Sequence, residues 1–227
     1  MAQKRSTSDL MLKWKKKKWF PVKCKEIFGE QIIGEVLSEE VQQLIGRTLT
    51  LNLMTLTGDP RKQTYNLKFK ITSTEGNSAI AMIVGMNMLE AMVKKLVRKR
   101  RSKIDDSFLI KTSDNRLLRC KPLIVTVSKV SNSVKSELRK LTRYLIYDYA
   151  KKTTYVDFVN DIIKEKLQNE LKKPLNKITA IETFKIRVFK LLENPTNRDH
   201  VLFSKFESEV NNYTPKVSLK SNTQESQ

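Results

Sequence analysis

An α+β fold is predicted: an antiparallel, barrel-like sheet of about six strands with packed helices, followed by a helical C-terminal part. Three observations predict it. Apolar residues alternate with period two through most of the chain up to Val127, and they recur at helical spacing after Ser133. Hydrophobic residues make up 39% of the 227, enough for a sizeable core. Charge then points to the partner. Lys and Arg number 44 against 24 Asp and Glu, a formal net charge of +20 that implies a polyanion.

Residues 1–25 read as a basic extension. Lys13-Trp14-Lys15-Lys16-Lys17-Lys18-Trp19-Phe20 brackets a lysine run with aromatic rings. Rings beside cations stack on unpaired bases while lysines hold phosphate, but large aromatics more often anchor a segment to its own core, and that reading is preferred for the rings. The strand-rich region spans 26–130. Gly29 and Gly34 punctuate Gln31-Ile32-Ile33, and Ser38 before Glu39 and Glu40 reads as the cap of a short helix ending before Gly46. Leucines alternate from Thr48 to Leu53, and Thr57-Gly58-Asp59-Pro60 turns the chain. Tyr65, Leu67, Phe69 and Ile71 then alternate with Asn66, Lys68 and Lys70, a strand with one cationic face. Glu75-Gly76-Asn77 turns again into Ala79–Val84, which completes an antiparallel meander. Met88, Leu89, Met92, Val93 and Leu96 predict a helix packed on the sheet.

That helix leads into Arg98-Lys99-Arg100-Arg101-Ser102-Lys103, a cationic burst ending at Asp105 and Asp106. Arginine forks bind phosphate oxygens bidentately and lysine adds mobile charge, so the cluster is the leading candidate for a phosphate-backbone contact. Lys62, Lys68, Lys70, Arg139 and Arg143 extend the candidate set. Strands follow at Phe108–Ile110 and Leu117–Val127. Residues 131–192 read as helical: Val134, Leu138, Leu141 and Leu145 mark one helix capped by Ser133, and Thr154 with Asp157 opens a second with stripe Val156, Val159, Ile163 and Leu167. Phe184, Ile186 and Val188 predict a return strand. Residues 193–227 are mainly polar and are expected to form a flexible tail, with Leu202, Phe206 and Val210 making at most a short helical contact.

Cys24 and Cys120 form no CxxC unit, which argues against a zinc site and a disulfide framework and fits a reducing cytoplasm. No apolar run approaches the roughly 20 residues that span a bilayer, so no membrane partner is expected. No cofactor is expected either. A metal nuclease built on Asp59, Asp105 and Asp106 is the enzymatic alternative. It is disfavoured because Asp59 is a turn residue and the other two sit beside cations, while the single histidine, His200, supports no triad. A free-standing RNA-binding translation factor or RNA chaperone is the second alternative.

Several short motifs occur in order: Trp14 through Trp19, Glu26-Ile27-Phe28-Gly29, Ile33-Gly34-Glu35, Leu44-Ile45-Gly46-Arg47, Leu56-Thr57-Gly58-Asp59, Lys62-Gln63, Glu75-Gly76-Asn77 and Arg100 through Asp106. Together they resemble the archaeal and eukaryotic small-subunit ribosomal protein family eS-one, also called S-three-Ae, and its archaeal branch in particular. The resemblance runs from about Lys13 to about Leu191. It implies a β-barrel-like domain with helices, seated on the platform of the small subunit, with ribosomal RNA, neighbouring ribosomal proteins and mRNA near its exit as partners.

Overall fold

The computed structural model describes residues 17–25, 27–29 and 31–214. Among these the chain forms nine strands and six α-helices in an open sheet, so the α+β class holds while the strand number exceeds the expected six. It divides into two compact units, with the boundary between Gly85 and Met86.

In the first unit, β1 (Lys18–Cys24) pairs antiparallel with β2 (Gln31–Ser38) and parallel with β5 (Ser78–Met88), which ends in the second unit. That parallel pairing lies outside the expected meander and adds a strand to it. β3 (Thr48–Asn52) pairs antiparallel with β4 (Tyr65–Glu75), and β4 with β5. β2 and β3 each pair with one neighbour, so the ladder has open ends rather than the expected barrel closure. The alternation read from sequence is the cause of burial: Tyr65, Leu67, Phe69 and Ile71 are buried, and Lys68 between them is exposed. The helix expected after Ser38 shrinks to one 3₁₀ turn, Val41–Leu44. Ser38 is the buried last residue of β2, and the chain is claimed by β4 immediately after the turn, where the Gly46 amide donates to Ile71 and the Ile71 amide to Arg47.

The Leu56-Thr57-Gly58-Asp59 motif works as a double stop. Asn52 ends β3 and caps α1 (Leu53–Thr57), its side chain accepting from the Met54 amide at 2.9 Å. Gly58 closes α1 at φ 68°, a left-handed conformation suited to glycine, and Asp59 accepts from the Arg61 amide at 3.0 Å.

The second unit is built on β8 (Leu117–Thr126), flanked by β9 (Ile181–Leu192) on one side and by β6 (Lys103–Asp105) and β7 (Phe108–Lys111) on the other. Pro122 lies inside β8, and a proline has no amide to give a central ladder. The ladder is irregular there on both flanks. β9 shifts register between Lys121 and Pro122, which adds Arg187 as an extra residue, and shifts again at Thr126, which adds Glu182. Across β8, β6 ends opposite Leu123 and β7 resumes opposite Cys120, leaving Asp106 and Ser107 unpaired in the sheet. Such bulges re-aim side chains. The bulge at Arg187 also shifts the inward parity of β9 and so keeps one face buried, with Phe184 and Ile186 inward before it and Phe189 and Leu191 after it.

Three helices connect β8 to β9. The first, α3 (Asn132–Lys152), starts from Ser131 rather than Ser133 and buries Leu138, Leu141, Ile146, Tyr147 and Ala150. The next stretch splits into α4 (Tyr155–Ile163) and α5 (Lys166–Leu175) at Glu165, which adopts φ 56°. Pro174 therefore falls inside α5 and not beyond a helix end. The helix α2 (Glu90–Leu96) exists as expected but buries none of its residues, since Met88 belongs to β5 and two turns offer too narrow a stripe. The reverse holds for the polar end of the chain. Instead of a flexible tail from 193, α6 (Asn197–Asn211) opens with a Thr196/Asp199 capping box and buries Phe206 and Val210. Phe206 stacks on Phe108 at 5.0 Å and meets the Tyr147 ring edge-on at 6.0 Å.

Candidate nucleic-acid interface

The cationic burst is split by its surroundings. Arg98, Lys99 and Arg100 form an exposed loop after α2 and make no ion pair among the described residues. Arg100 sits at φ 66°, a left-handed turn residue that swings the chain into β6. The burst's second half is engaged internally. Arg101 pairs with Glu182, the bulge residue of β9, and Lys103 lies 2.6 Å from Asp105, with Arg187 4.0 Å from the same carboxylate.

Arg143 departs furthest from the expected role. Nε and Nη2 donate to the two oxygens of Asp106 at 2.7 and 3.0 Å, and Nη1 donates to Glu209 of α6 at 3.0 Å. Hydrogen bonding to Asp106 holds its guanidinium above the usual arginine range. Asp106 reaches α3 because the ladder leaves it free opposite Lys121 and Pro122. All three guanidinium contacts go to carboxylates of this chain, so Arg143 is a clamp between the segment after β6, α3 and α6. Arg139 on the same helix is half-buried.

In the first unit, Lys68 and Lys70 share a face of the β3–β4 ladder with Thr50 and Thr48, their cross-strand partners. Lys62 ends the turn capped by Asp59 and is half-buried. Lys17 and Lys18 are exposed, and Lys13, Trp14, Lys15 and Lys16 lie outside the described residues. Of the aromatics expected to anchor this segment, Phe20 does so at 4% exposure, whereas Trp19 stands out at 64%. Two cations were missed by the sequence reading: Lys94 and Lys95 are exposed on the last turn of α2, directly before the free half of the burst. Their signal was present, since they fall between the apolar positions Val93 and Leu96.

The carboxylates of the enzymatic alternative are spoken for. Asp59 caps a turn, Asp105 faces Lys103, and Asp106 holds Arg143. No group of three or more metal-ligating side chains occurs among the described residues.

Comparison with known proteins identifies the family. The model of the Ribosomal S3Ae family matches residues 3–195, ending before α6. The protein named small ribosomal subunit protein eS1 of Nanoarchaeum equitans is 36% identical over 178 residues, 78% of this chain and 90% of that protein. Proteins of the same name from Saccharolobus islandicus and Sulfurisphaera tokodaii are 33% identical over 185 residues and 31% over 195, covering 82% and 86% of this chain and 89% and 100% of theirs. On this evidence the chain belongs to the Ribosomal S3Ae family, a family of ribosomal proteins and not of enzymes.

Proposed function

We propose that the protein is a structural constituent of the small ribosomal subunit in the cytoplasm, where it binds ribosomal RNA on the platform near the mRNA exit and packs against neighbouring ribosomal proteins, with emerging mRNA within its reach. The observation that carries RNA binding is the exposed loop Arg98-Lys99-Arg100, three consecutive cations with no acidic partner among the described residues. A cation without an internal partner is free to release counterions from a phosphate, and that release makes affinity fall steeply with salt. Such contacts position a protein without reading bases, as expected of a scaffold component.

The triple variant Arg98→Gln, Lys99→Gln, Arg100→Gln tests the reading. If each cation contacts a phosphate, the slope of log affinity for small-subunit RNA against log salt falls by roughly 2.1–2.7. The melting temperature stays within a degree or so, because exposed substitutions away from packed features change stability little. An unchanged slope would remove the loop from the interface. A free-standing factor is separated from a structural component by a high-salt wash of small subunits, which strips the former and retains the latter.

A further inference from the structure

The outer face of the β1–β2 ribbon carries an apolar strip that the core does not use. Pairing places Trp19 opposite Leu37, Pro21 opposite Glu35 and Lys23 opposite Ile32. Phe20, Val22 and Cys24 point the other way and are buried, so the strand period forces Trp19, Pro21 and Lys23 outward. A register shift in β2 adds Ile33 as an extra residue that turns inward and leaves Ile32 outward at 57% exposure. Trp19 is the most exposed large apolar side chain of the described residues, and it is held by a strand rather than a loop. Lys23 shares this face, and the exposed Lys17 and Lys18 immediately precede Trp19 in the chain, with Glu35 the one acid on this strip.

We infer that Trp19 is a stacking platform for an unpaired base of single-stranded RNA, with these lysines on its phosphates. The inference rests on the RNA-binding reading above but concerns a different residue and a different contact. Charge decides the occupant: a rigid exposed indole in a lysine-rich stretch of chain fits a base with its phosphate, because every base offers a π face and its backbone offers negative charge. An apolar protein surface would gain nothing from those cations.

The test uses the full chain with Trp14→Phe, which leaves Trp19 as the only indole. Titration with single-stranded oligouridylate quenches Trp19 emission, whereas an RNA duplex of equal length, its bases enclosed, does not. Trp19→Ala weakens oligouridylate binding about 5- to 160-fold and Trp19→Phe restores most of it, and neither alters the salt slope. The Arg98→Gln, Lys99→Gln, Arg100→Gln variant gives the opposite pattern, a lowered slope with quenching intact, so failure of one reading is separable from failure of the other. Four results overturn the inference: absent quenching, equal quenching by duplex, a solvent-shielded Trp19 emission before RNA is added, or a Trp19→Ala variant with normal RNA affinity that fails to join small subunits, which would assign the strip to a protein partner.

Discussion

Arg100 and Arg101 are adjacent, equally charged and placed in one cationic burst, yet they meet opposite surroundings: the first is exposed in a turn, and the second reaches Glu182 across the sheet. The difference shows that a cation's role is decided by which carboxylate the fold delivers, and that carboxylate can lie far along the chain. The paired set, Arg101, Lys103 and Arg143, is engaged by carboxylates within the second unit, whereas Arg98, Lys99 and Arg100 remain available to an outside anion.

The largest break in this comparison is Asp106→Ala. Removing the carboxylate strands the clamping guanidinium of Arg143, and loss of charged hydrogen bonds in a part-buried site costs about 2–3 kcal/mol. Thermal denaturation should show a drop of roughly 4–12 °C. Truncating only the Glu209 partner, which is exposed, should cost well under half as much.

Next comes an alkaline transition in the second unit. Burial and the hydrogen bond to Glu207 push the Tyr147 hydroxyl up to about 12. A group whose pKa is raised by folding stabilises fully below its unfolded value, near 10 for tyrosine, and that contribution is lost as pH rises through about 12. Stability should therefore fall between pH 10 and 12, and less steeply in Tyr147→Phe. Burial drives the Cys120 thiol to about 12 as well and raises the Tyr149 hydroxyl, so some alkaline loss will remain in that variant. Salt-slope measurements on the Arg98–Arg100 loop at pH 7 are untouched by these groups.

The two smallest effects compare the neighbours directly. Arg101→Gln should cost at most about 1 kcal/mol, as part-exposed ion pairs do, and leave the salt slope of RNA binding unchanged. Arg100→Gly should leave stability unchanged or slightly raised, since φ 66° suits glycine, while lowering the slope by roughly 0.7–0.9. A lowered slope in Arg101→Gln would dissolve the distinction between the two halves.

How far the sequence could be read follows the range of the forces involved. Alternation in Tyr65–Ile71 and in Phe184–Ile186, and the cap at Thr154, were readable because burial period and capping are local. Arg101–Glu182 and Arg143–Asp106 were not, since a charged residue carries no mark of a partner brought in by sheet register. Pro122 was an overlooked clue: a proline within an apolar strand announces a ladder irregularity, and with it that neighbouring charges will be re-aimed. α6 was missed because its polar composition hid a good capping box and two core aromatic and aliphatic contacts at i and i+4, Phe206 and Val210. α2 failed in the other direction, its apolar spacing being genuine but too short to reach a core.

The pairing of β8 with β9 also sets a timetable for the growing chain. The last residue of β9, Leu192, follows Thr126 only after three helices have been made, a delay of about 3–13 s at ordinary translation speeds. During that interval Leu118, Leu123 and Val125, fully enclosed in the finished protein, belong to a strand with no β9 paired beside it. The nascent chain thus presents a bare, strongly apolar strand next to a dense block of positive charge. Co-translational engagement by a chaperone, or by an anionic polymer that keeps such chains apart, would act in that window and not after Leu192 has emerged.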